Sequence, residues 1–241
     1  MKTRLPFISV VVPAFNEEKY IGLTLDSLRR QEYPKEKFEL IVSDDKSTDK
    51  TAEVARKHGA KVVFCGKHRI GANRNNGARA SSKQAEIIAF VDADAVVPPQ
   101  WLRAVARAFR NERVVLVQGP VQPASNGRPC SAWMRLFLDA YFKLMIAFGM
   151  PSGPGSNYCV RKSAFNKVGG FPEDAVTGED LALAKKLLKH GKAVFADDAF
   201  LYVSDRRVRK WGVAKYLWFH LSNSLRFALS GKASEEYENV R

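Results

Sequence analysis

Residues 8–18 read Ile8-Ser-Val-Val-Val-Pro-Ala-Phe-Asn-Glu-Glu18, an apolar run that ends in an acidic turn. Consecutive β-branched residues are typical of a parallel strand that is covered on both faces. The turn after the run has no glycine, although a dinucleotide-binding turn needs GxGxxG so that the backbone can approach a pyrophosphate. The chain also has no GxxxxGK(S/T) phosphate loop. This opening segment therefore predicts an α/β fold and argues against a dehydrogenase or a P-loop enzyme.

The alternation of short strands and amphipathic helices continues through the first half of the chain. Further strands are predicted at residues 40–42, 62–64, 87–91 and 114–117. Helices are predicted at residues 17–31, 48–58, 72–83 and 98–111, with Ser47 or Thr48 as the cap of the second helix. Because short connections join strands to helices, we expect a mostly parallel, Rossmann-like central sheet with helices on both faces.

The pattern changes after residue 120. Helices are predicted at residues 131–149, 179–189 and 211–229, a loop at 151–157, and one or two strands within 193–203. The last helix is expected to be amphipathic, since many of its apolar side chains share one arc at 100° per residue. The residues of that arc are Trp211, Ala214, Leu217, Trp218, Leu221, Leu225, Ala228 and Leu229. The sequence leaves open whether this helix packs on the domain, on a partner or on a membrane.

Charge and cysteine usage limit the classes of partner. The 241 residues contain 39 Lys and Arg against 25 Asp and Glu, a formal charge of +14. Such an excess predicts anionic partners, namely nucleotide phosphates, nucleic acid or an anionic membrane.

Cys65, Cys130 and Cys159 have no metal-ligand spacing, so a reducing cytoplasm is expected. The longest uncharged run, residues 144–160, contains two prolines and three glycines, and we expect no spanning helix there.

Acidic residues follow three of the predicted strands. They are Glu17 and Glu18, then Asp44, Asp45 and Asp49, then Asp92 and Asp94. The carboxyl ends of parallel strands meet at the ligand-binding edge of an open sheet. Clustered carboxylates repel one another and destabilise a fold that binds nothing there. Their position is better explained by a divalent cation together with a donor-rich ligand. Two hard oxygen ligands, spaced as Asp92 and Asp94 are, suit Mg²⁺ or Mn²⁺ held with substrate phosphates. A plain turn is the alternative for this pair.

Five motifs occur in a fixed order along the chain. They are residues 8–18, Leu40-Ile-Val-Ser-Asp-Asp-Lys-Ser-Thr-Asp-Lys-Thr51, Gly71-Ala-Asn-Arg-Asn-Asn-Gly-Ala78, Phe90-Val-Asp-Ala-Asp94, and Val168-Gly-Gly-Phe171 followed by Thr177-Gly-Glu-Asp-Leu-Ala-Leu183. Together, residues 7–205 resemble glycosyltransferase family 2, inverting nucleotide-sugar enzymes of the GT-A fold. The resemblance implies a GT-A domain at 1–205, with a nucleotide-binding half at 1–120 and an acceptor half at 121–205. A basic and aromatic helical extension follows at 206–241.

The resemblance also implies roles for residues on the donor side. The nucleoside pocket would be lined by Pro13, Phe15, Glu17 and Asp45. Asp45 would accept a hydrogen bond from the ring N–H of the base, and Arg74 would contact the base or a phosphate. Asp92 would reach the ribose, or the metal through a water, and Asp94 would bind Mg²⁺ or Mn²⁺ directly.

On the acceptor side, the resemblance implies that Gly153 and Gly155 let the backbone approach the sugar. Asp180 would be the catalytic base and Glu179 would position the acceptor. A structural alternative is that both acids favour the start of a helix. Arg206 and Arg207 suit a diphosphate clamp because guanidinium binds phosphate in a bidentate way. The alternatives for this basic cluster are a solvated charge run and a membrane-facing patch.

The predicted function is the transfer of a sugar from a nucleoside diphosphate sugar to a hydroxyl of a glycan or lipid-linked acceptor. A rival of the same fold is a polyprenyl-phosphate sugar synthase, whose ionised phosphate acceptor needs no base. The Glu179–Asp180 pair therefore favours a hydroxyl. The +14 charge motivates a nucleic-acid-binding alternative, but without a stacking platform or groove-reading helix motif we expect no nucleic-acid partner. A cytoplasmic location is expected, with a peripheral position on the membrane face left open, and the donor base is left open among UDP, GDP and dTDP.

Overall fold

The computed structural model describes residues 4–125, 128–129, 132–149, 155–230 and 234. The strands in this part are β1 (Ile8–Ala14), β2 (Phe38–Asp44), β3 (Lys61–Phe64), β4 (Ile87–Val91), β5 (Ala95–Val96), β6 (Val114–Gln118), β7 (Val121–Ser125), β8 (Arg128–Pro129), β9 (Asn157–Arg161), β10 (Lys192–Phe195) and β11 (Leu201–Ser204). The α-helices are α1 (Ile21–Arg29), α2 (Thr51–Lys57), α3 (Ile70–Arg79), α4 (Trp101–Ala108), α5 (Ala132–Ala147), α6 (Lys162–Lys167), α7 (Glu179–Leu187), α8 (Arg206–Trp211) and α9 (Val213–Ser230).

In the described part of the chain, the larger of two sheets has seven strands in the order β10-β6-β9-β4-β1-β2-β3. The run β4-β1-β2-β3 is parallel throughout, and β10 is parallel to β6. Strand β9 lies between β4 and β6 and is antiparallel to both. The predicted α/β fold with a mostly parallel sheet is confirmed. Strand β9 was not predicted, because its partners are distant in sequence and its five residues carry no local sign of their direction.

Alternation along β1 explains how the sheet is covered on both faces. All seven residues of β1 are buried. Val10 and Val12 belong to a core cluster that includes residues of α1 and α4. Val11 faces a second cluster, to which α3 and α7 contribute. Because successive side chains of a strand point to opposite faces, one β-branched run supplies both cores.

A smaller sheet, in the order β5-β11-β7-β8, was not predicted as a separate unit. Strand β11 is antiparallel to β5 and parallel to β7. This sheet brings the end of β11, and with it the start of α8, beside the residues that follow β4. The one or two strands predicted within residues 193–203 are the two strands β10 and β11, which belong to different sheets.

Several helix boundaries differ from the predictions. Helices α1 and α4 are shorter than the helices predicted at 17–31 and 98–111, because turns occupy their first residues. The predicted cap of the second helix is wrong. Ser47 Oγ accepts the backbone N–H of Asn16 at 2.8 Å, while the N–H of Thr51 donates to Asp49 Oδ1 at 2.9 Å. Thus Ser47 helps to hold the turn after β1, and α2 begins later.

The helix predicted at 211–229 is divided at Gly212. This glycine has a φ of 77°, which a residue with a side chain rarely adopts, and it ends α8. Trp211 therefore lies on α8 and not on the apolar arc of α9. The division of the chain at residue 205 stays a prediction.

Candidate active site

A cleft of about 510 Å³ opens beyond the carboxyl ends of β1, β2 and β4. Of the predicted site residues, those that line it are Pro13, Phe15, Glu17, Asp45, Arg74, Asp92, Asp94, Gly155, Glu179, Asp180, Arg206 and Arg207. Gly153 lies outside the described residues. The structure thus brings the acids of three strand ends, the α7 acids and the α8 arginines into one cavity, while their individual roles stay predictions.

One end of the cleft is built around Asp45. Its Oδ1 accepts the backbone N–H groups of Gly66 at 2.7 Å and His68 at 3.1 Å. The rings of Phe15 and His68 meet edge to face, with centroids 5.3 Å apart. His68 was not predicted as a site residue, because a histidine in a turn has no motif of its own. Its position just beyond β3, at the same sheet edge as the acids, was the available signal.

The backbone is strained at this edge of the sheet. Among the residues that the structure describes, three other than glycine have a positive φ, namely Asn16 at 54°, Lys46 at 61° and His68 at 50°. They follow β1, β2 and β3 respectively. Left-handed backbone outside glycine costs roughly 1–3 kcal/mol and concentrates where a ligand requires a particular loop shape. The left-handed residues in these three turns therefore lower the stability of the folded protein while they fix the shape of the turns.

The middle of the cleft holds an arginine between two acids. Arg206 donates two hydrogen bonds to Glu17, of 2.9 and 2.7 Å, and its Nη2 lies 3.2 Å from Asp94 Oδ2. Burial raises the pKa of Asp94 to about 7, against the opposing effect of the Arg206 guanidinium. Glu17, which was predicted to line the nucleoside pocket, pairs here with α8. The guanidinium neutralises carboxylates that would otherwise repel each other.

Arg74 joins the donor side of the cleft to the α7 side. Its Nη1 lies 2.6 Å from Glu179 Oε1 and its Nη2 lies 3.3 Å from Asp92 Oδ1. The guanidinium also lies 5.5 Å from the centroid of the Phe171 ring. A Cβ on Gly155 would come within 2.4 Å of Arg74 Nη2, so a side chain at this position would displace the guanidinium. Arg74, predicted to contact the base or a phosphate, is a buried link between two acids.

Asp180 occupies the first turn of α7, which Gly178 starts in a left-handed conformation. Its Oδ1 accepts the backbone N–H of Leu181 at 2.8 Å. Burial and the neighbouring Glu179 carboxylate raise the pKa of Asp180, while Arg74 opposes the rise. Tyr158, on β9, donates its hydroxyl to the Asp180 carbonyl at 3.1 Å. A carboxylate held in this way is placed to take up a proton near neutral pH.

The carboxylates suit a metal that is shared with a substrate. Among the described residues, no group of three or more His, Cys, Asp or Glu side chains could hold an ion by itself. Asp92 and Asp94 supply hard oxygens, and Mg²⁺ is commonly bound by one or two carboxylates plus phosphate oxygens. Asp205, just before α8, is not among the residues that line the cleft, and its Oδ1 pairs with Arg209 Nε at 2.9 Å. The donor set fits Mg²⁺ or Mn²⁺ that binds together with a diphosphate.

The sequence matches the family described as glycosyl transferase family 2 over residues 9–169. The chain belongs to glycosyltransferase family 2. The resemblance noted in the sequence is thereby confirmed, and the expectation of a glycosyltransferase agrees with it. No helix of the described residues is both long enough and apolar enough to cross a membrane.

Two curated proteins illustrate what the chain is similar to. Glycosyltransferase AglE of Haloferax volcanii is 31% identical over 206 residues, which cover 82% of this chain and 67% of AglE. Beta-monoglucosyldiacylglycerol synthase of Nostoc sp. is 32% identical over 200 residues, or 76% of this chain and 41% of that protein. The chain thus spans less than half the length of the Nostoc protein.

A solved structure of similar fold is the mannosyltransferase PcManGT from Pyrobaculum calidifontis, in complex with GDP-Man and Mn²⁺. The TM-score is 0.70 at 23% identity, and the match covers 96% of this chain and 67% of that chain. The predicted GT-A fold is confirmed by this similarity.

Proposed function

We propose that this chain is an inverting glycosyltransferase that moves a sugar from a nucleoside diphosphate sugar to an acceptor hydroxyl. One observation carries the proposal: Asp45, Asp94 and Asp180 come from three separate elements and line the same cleft. The cleft therefore offers separate carboxylates for contact with a base, for a metal-bound diphosphate and for proton removal. Membership of family 2 supports the same conclusion.

The donor is assigned to the end of the cleft near Asp45. The Oδ1 of this carboxylate is used by backbone N–H groups, so its Oδ2 is the atom assigned to the ring N–H of the base. Pro13 and Phe15 provide apolar contact for the nucleoside, and Arg206 and Arg207 provide positive charge for the diphosphate. Arg206 would exchange its bonds with Glu17 for bonds to phosphate when the donor enters.

Asp94 and Asp92 are the residues that would hold a Mg²⁺ or Mn²⁺ ion. When bound, such an ion stabilises the negative charge that develops on a departing diphosphate. The presence of Mn²⁺ in the PcManGT complex supports this assignment. Asp94 must be ionised to bind a cation, and its raised pKa makes the site sensitive to pH near neutrality.

Asp180 is proposed as the catalytic base. As the acceptor oxygen bonds to the sugar carbon, the bond from that carbon to the diphosphate oxygen breaks and the hydroxyl proton passes to Asp180. Attack from the face opposite the leaving group inverts the sugar carbon. Glu179 is proposed to position the acceptor, with Arg74 fixing Glu179 from below through the 2.6 Å contact.

Replacing the proposed base tests the mechanism directly. We expect Asp180→Asn to lower kcat by about 10²- to 10⁴-fold, the usual contribution of general base catalysis, while donor affinity is retained. The matched control is Asp174→Asn, an exposed aspartate in the loop before α7 that should leave kcat unchanged. Transfer assays and nucleotide-induced thermal shifts, with and without Mn²⁺, measure both quantities.

The same experiment separates the rival with a lipid phosphate acceptor. That acceptor is already ionised, so full turnover by Asp180→Asn would contradict a hydroxyl acceptor and favour a polyprenyl-phosphate sugar synthase. Absence of any thermal shift with UDP, GDP and dTDP would argue against donor binding altogether. Glycan and lipid-linked acceptors both remain within the proposed function, and the cytoplasmic location stays a prediction.

A further inference from the structure

Exposed apolar side chains are concentrated on α5 and α9. Within the described residues, eight of the eleven large exposed hydrophobic side chains belong to these helices or to the residue just beyond α5. They are Leu136, Phe137, Leu144, Phe148, Trp218, Leu221, Leu225 and Leu229. The two helices pack together through Leu138 and Phe142 of α5 and Leu217 of α9. We call the exposed apolar face of this pair the α5–α9 surface.

A groove of about 250 Å³ runs between the two helices. Phe137 and Tyr141 line it from α5, and Trp218 and Leu221 line it from α9. His220 lines both this groove and the catalytic cleft. The apolar groove and the cavity that contains Asp180 therefore lie side by side, with His220 between them, which suits a ligand with an apolar chain and a polar head.

Helices α8 and α9 carry charge of one sign, whereas on α5 Arg135 pairs with Asp139 and Lys143 pairs with Asp197. Residues 206–230 contain six Lys and Arg and no Asp or Glu. On α9, Trp218, Leu221, Leu225 and Leu229 form one stripe, and Lys215 and Arg226 fall roughly 80° from its centre at 3.6 residues per turn. Both cationic residues are exposed. Long cationic side chains beside an apolar stripe can reach lipid headgroups while the stripe enters the acyl boundary.

We propose that the α5–α9 surface binds an anionic lipid bilayer and that the groove admits the apolar chain of a membrane-held acceptor to the catalytic cleft. The proposal deepens the proposed function and rests on it for the acceptor. A second copy of this chain is the weaker occupant, because it would bring the cations of another α9, a helix without acids, against those of the first. An anionic bilayer supplies both the apolar depth and the opposite charge.

Sedimentation with vesicles tests the surface without requiring catalysis. We expect the protein to bind vesicles of phosphatidylglycerol and phosphatidylcholine, and to bind pure phosphatidylcholine vesicles much more weakly. Trp218→Ser combined with Leu221→Ser should weaken binding by at least about tenfold, because two side chains that enter the bilayer lose apolar area. Lys215→Ala combined with Arg226→Ala should weaken it by about 20- to 30-fold, because each cation near an anionic surface contributes severalfold.

Leu23→Ser is the matched control. Leu23 is 61% exposed on α1, comparable with Trp218 at 68%, and α1 packs into a different apolar cluster from the one that joins α5 and α9. The control should bind vesicles as the wild type does, and all variants should keep the wild-type thermal shift with nucleotide. Equal vesicle binding by the wild type and both double variants would overturn the proposal, as would equal binding to neutral and anionic vesicles.

Two further outcomes separate the surface from the reaction. Donor binding without vesicle binding would overturn the proposed surface and leave the transferase standing. A dimer that both double variants dissociate, with no vesicle binding, would assign the surface to a second copy and likewise overturn the proposal. Vesicle binding with no transfer to any hydroxyl acceptor would support the surface and count against the proposed function.

Discussion

Arg74 and Arg79 lie on the same helix, α3, yet their ion pairs differ in surroundings. The Arg74 side chain is 4% exposed and that of its partner Glu179 is 10% exposed, whereas Arg79 is 61% exposed and pairs with Glu173 at the surface. Solvent screens the pair of Arg79 and Glu173. At the buried pair, no solvent can take the place of Arg74 beside the Glu179 carboxylate once the arginine is removed. Because both pairs join an arginine to a glutamate, comparing them shows how burial changes the contribution of an ion pair to stability.

We expect Arg74→Ala to destabilise the protein by about 3 kcal/mol, because it leaves a buried carboxylate without its partner. Arg79→Ala should cost about 1 kcal/mol or less, as an exposed ion pair usually does. Urea denaturation of the two variants beside the wild type measures both values. Equal losses of stability would contradict the buried link between Glu179 and Asp92.

At the level of single residues, the sequence predicted which side chains meet but not how they are paired. The acids at the strand ends follow from strand order alone, since parallel strands end at one edge. The pairing of Arg206 with Glu17 joins positions 189 residues apart, and no local pattern predicts such a contact. His68 was not predicted for the same reason, since its place in the cleft depends on the shape of the turn after β3.

Helix α3 shows how an element is positioned by one glycine. A Cβ on Gly77 would lie 2.4 Å from Val11 Cγ1 and 3.3 Å from Ser43 Cβ. These atoms belong to β1 and β2, so the glycine allows the helix to lie directly on the sheet. That contact places Arg74, one turn earlier, beneath the cleft.

Gly77→Ala should therefore move α3 away from the sheet and destabilise the protein by about 1–3 kcal/mol through overpacking. Gly22→Ala is the control: its Cβ would meet the His58 side chain at 3.3 Å and Val54 Cγ1 at 3.5 Å, and no backbone atom is among its three nearest neighbours. In the first turn of α1 the control should be neutral or stabilising by up to about 1 kcal/mol. Thermal unfolding distinguishes the two, and a neutral Gly77→Ala would contradict the close packing.

Elements with strong local patterns were predicted well, and those defined by distant partners were not. The strands β1 and β4 and the helix α7 follow from apolar runs and helical spacing. The division at Gly212 was missed because the apolar spacing continues through it, and only the backbone shows a positive φ. Strand β9 and the smaller sheet depend on pairings across the chain, which periodicity does not encode.

The stability of the whole molecule is linked to pH through His220. Burial, together with the nearby Arg207 guanidinium, lowers the pKa of His220 to about 4. An unfolded chain takes up a proton on this histidine at about pH 6.5, well before the folded protein does. The folded state therefore loses stability relative to the unfolded state as the pH falls from about 6.5 to 4.

As the pH falls through this window, we expect the wild type to lose up to about 3 kcal/mol of unfolding free energy relative to His220→Phe, which lacks the histidine. Titration of Asp94 affects both proteins alike and cancels in the difference. Urea denaturation at several pH values measures the shift. A difference independent of pH would show that His220 titrates normally in the folded protein.

The position of β9 has a consequence for the order in which the chain acquires structure during synthesis. The run β4-β1-β2-β3 is complete once residue 91 has emerged, but β6 has no partner in that run and waits for residues 157–161. Until then the open edges of β4 and β6 expose unpaired backbone groups that can join other chains. We therefore expect nascent chains that stop between β6 and β9 to be the most prone to aggregate.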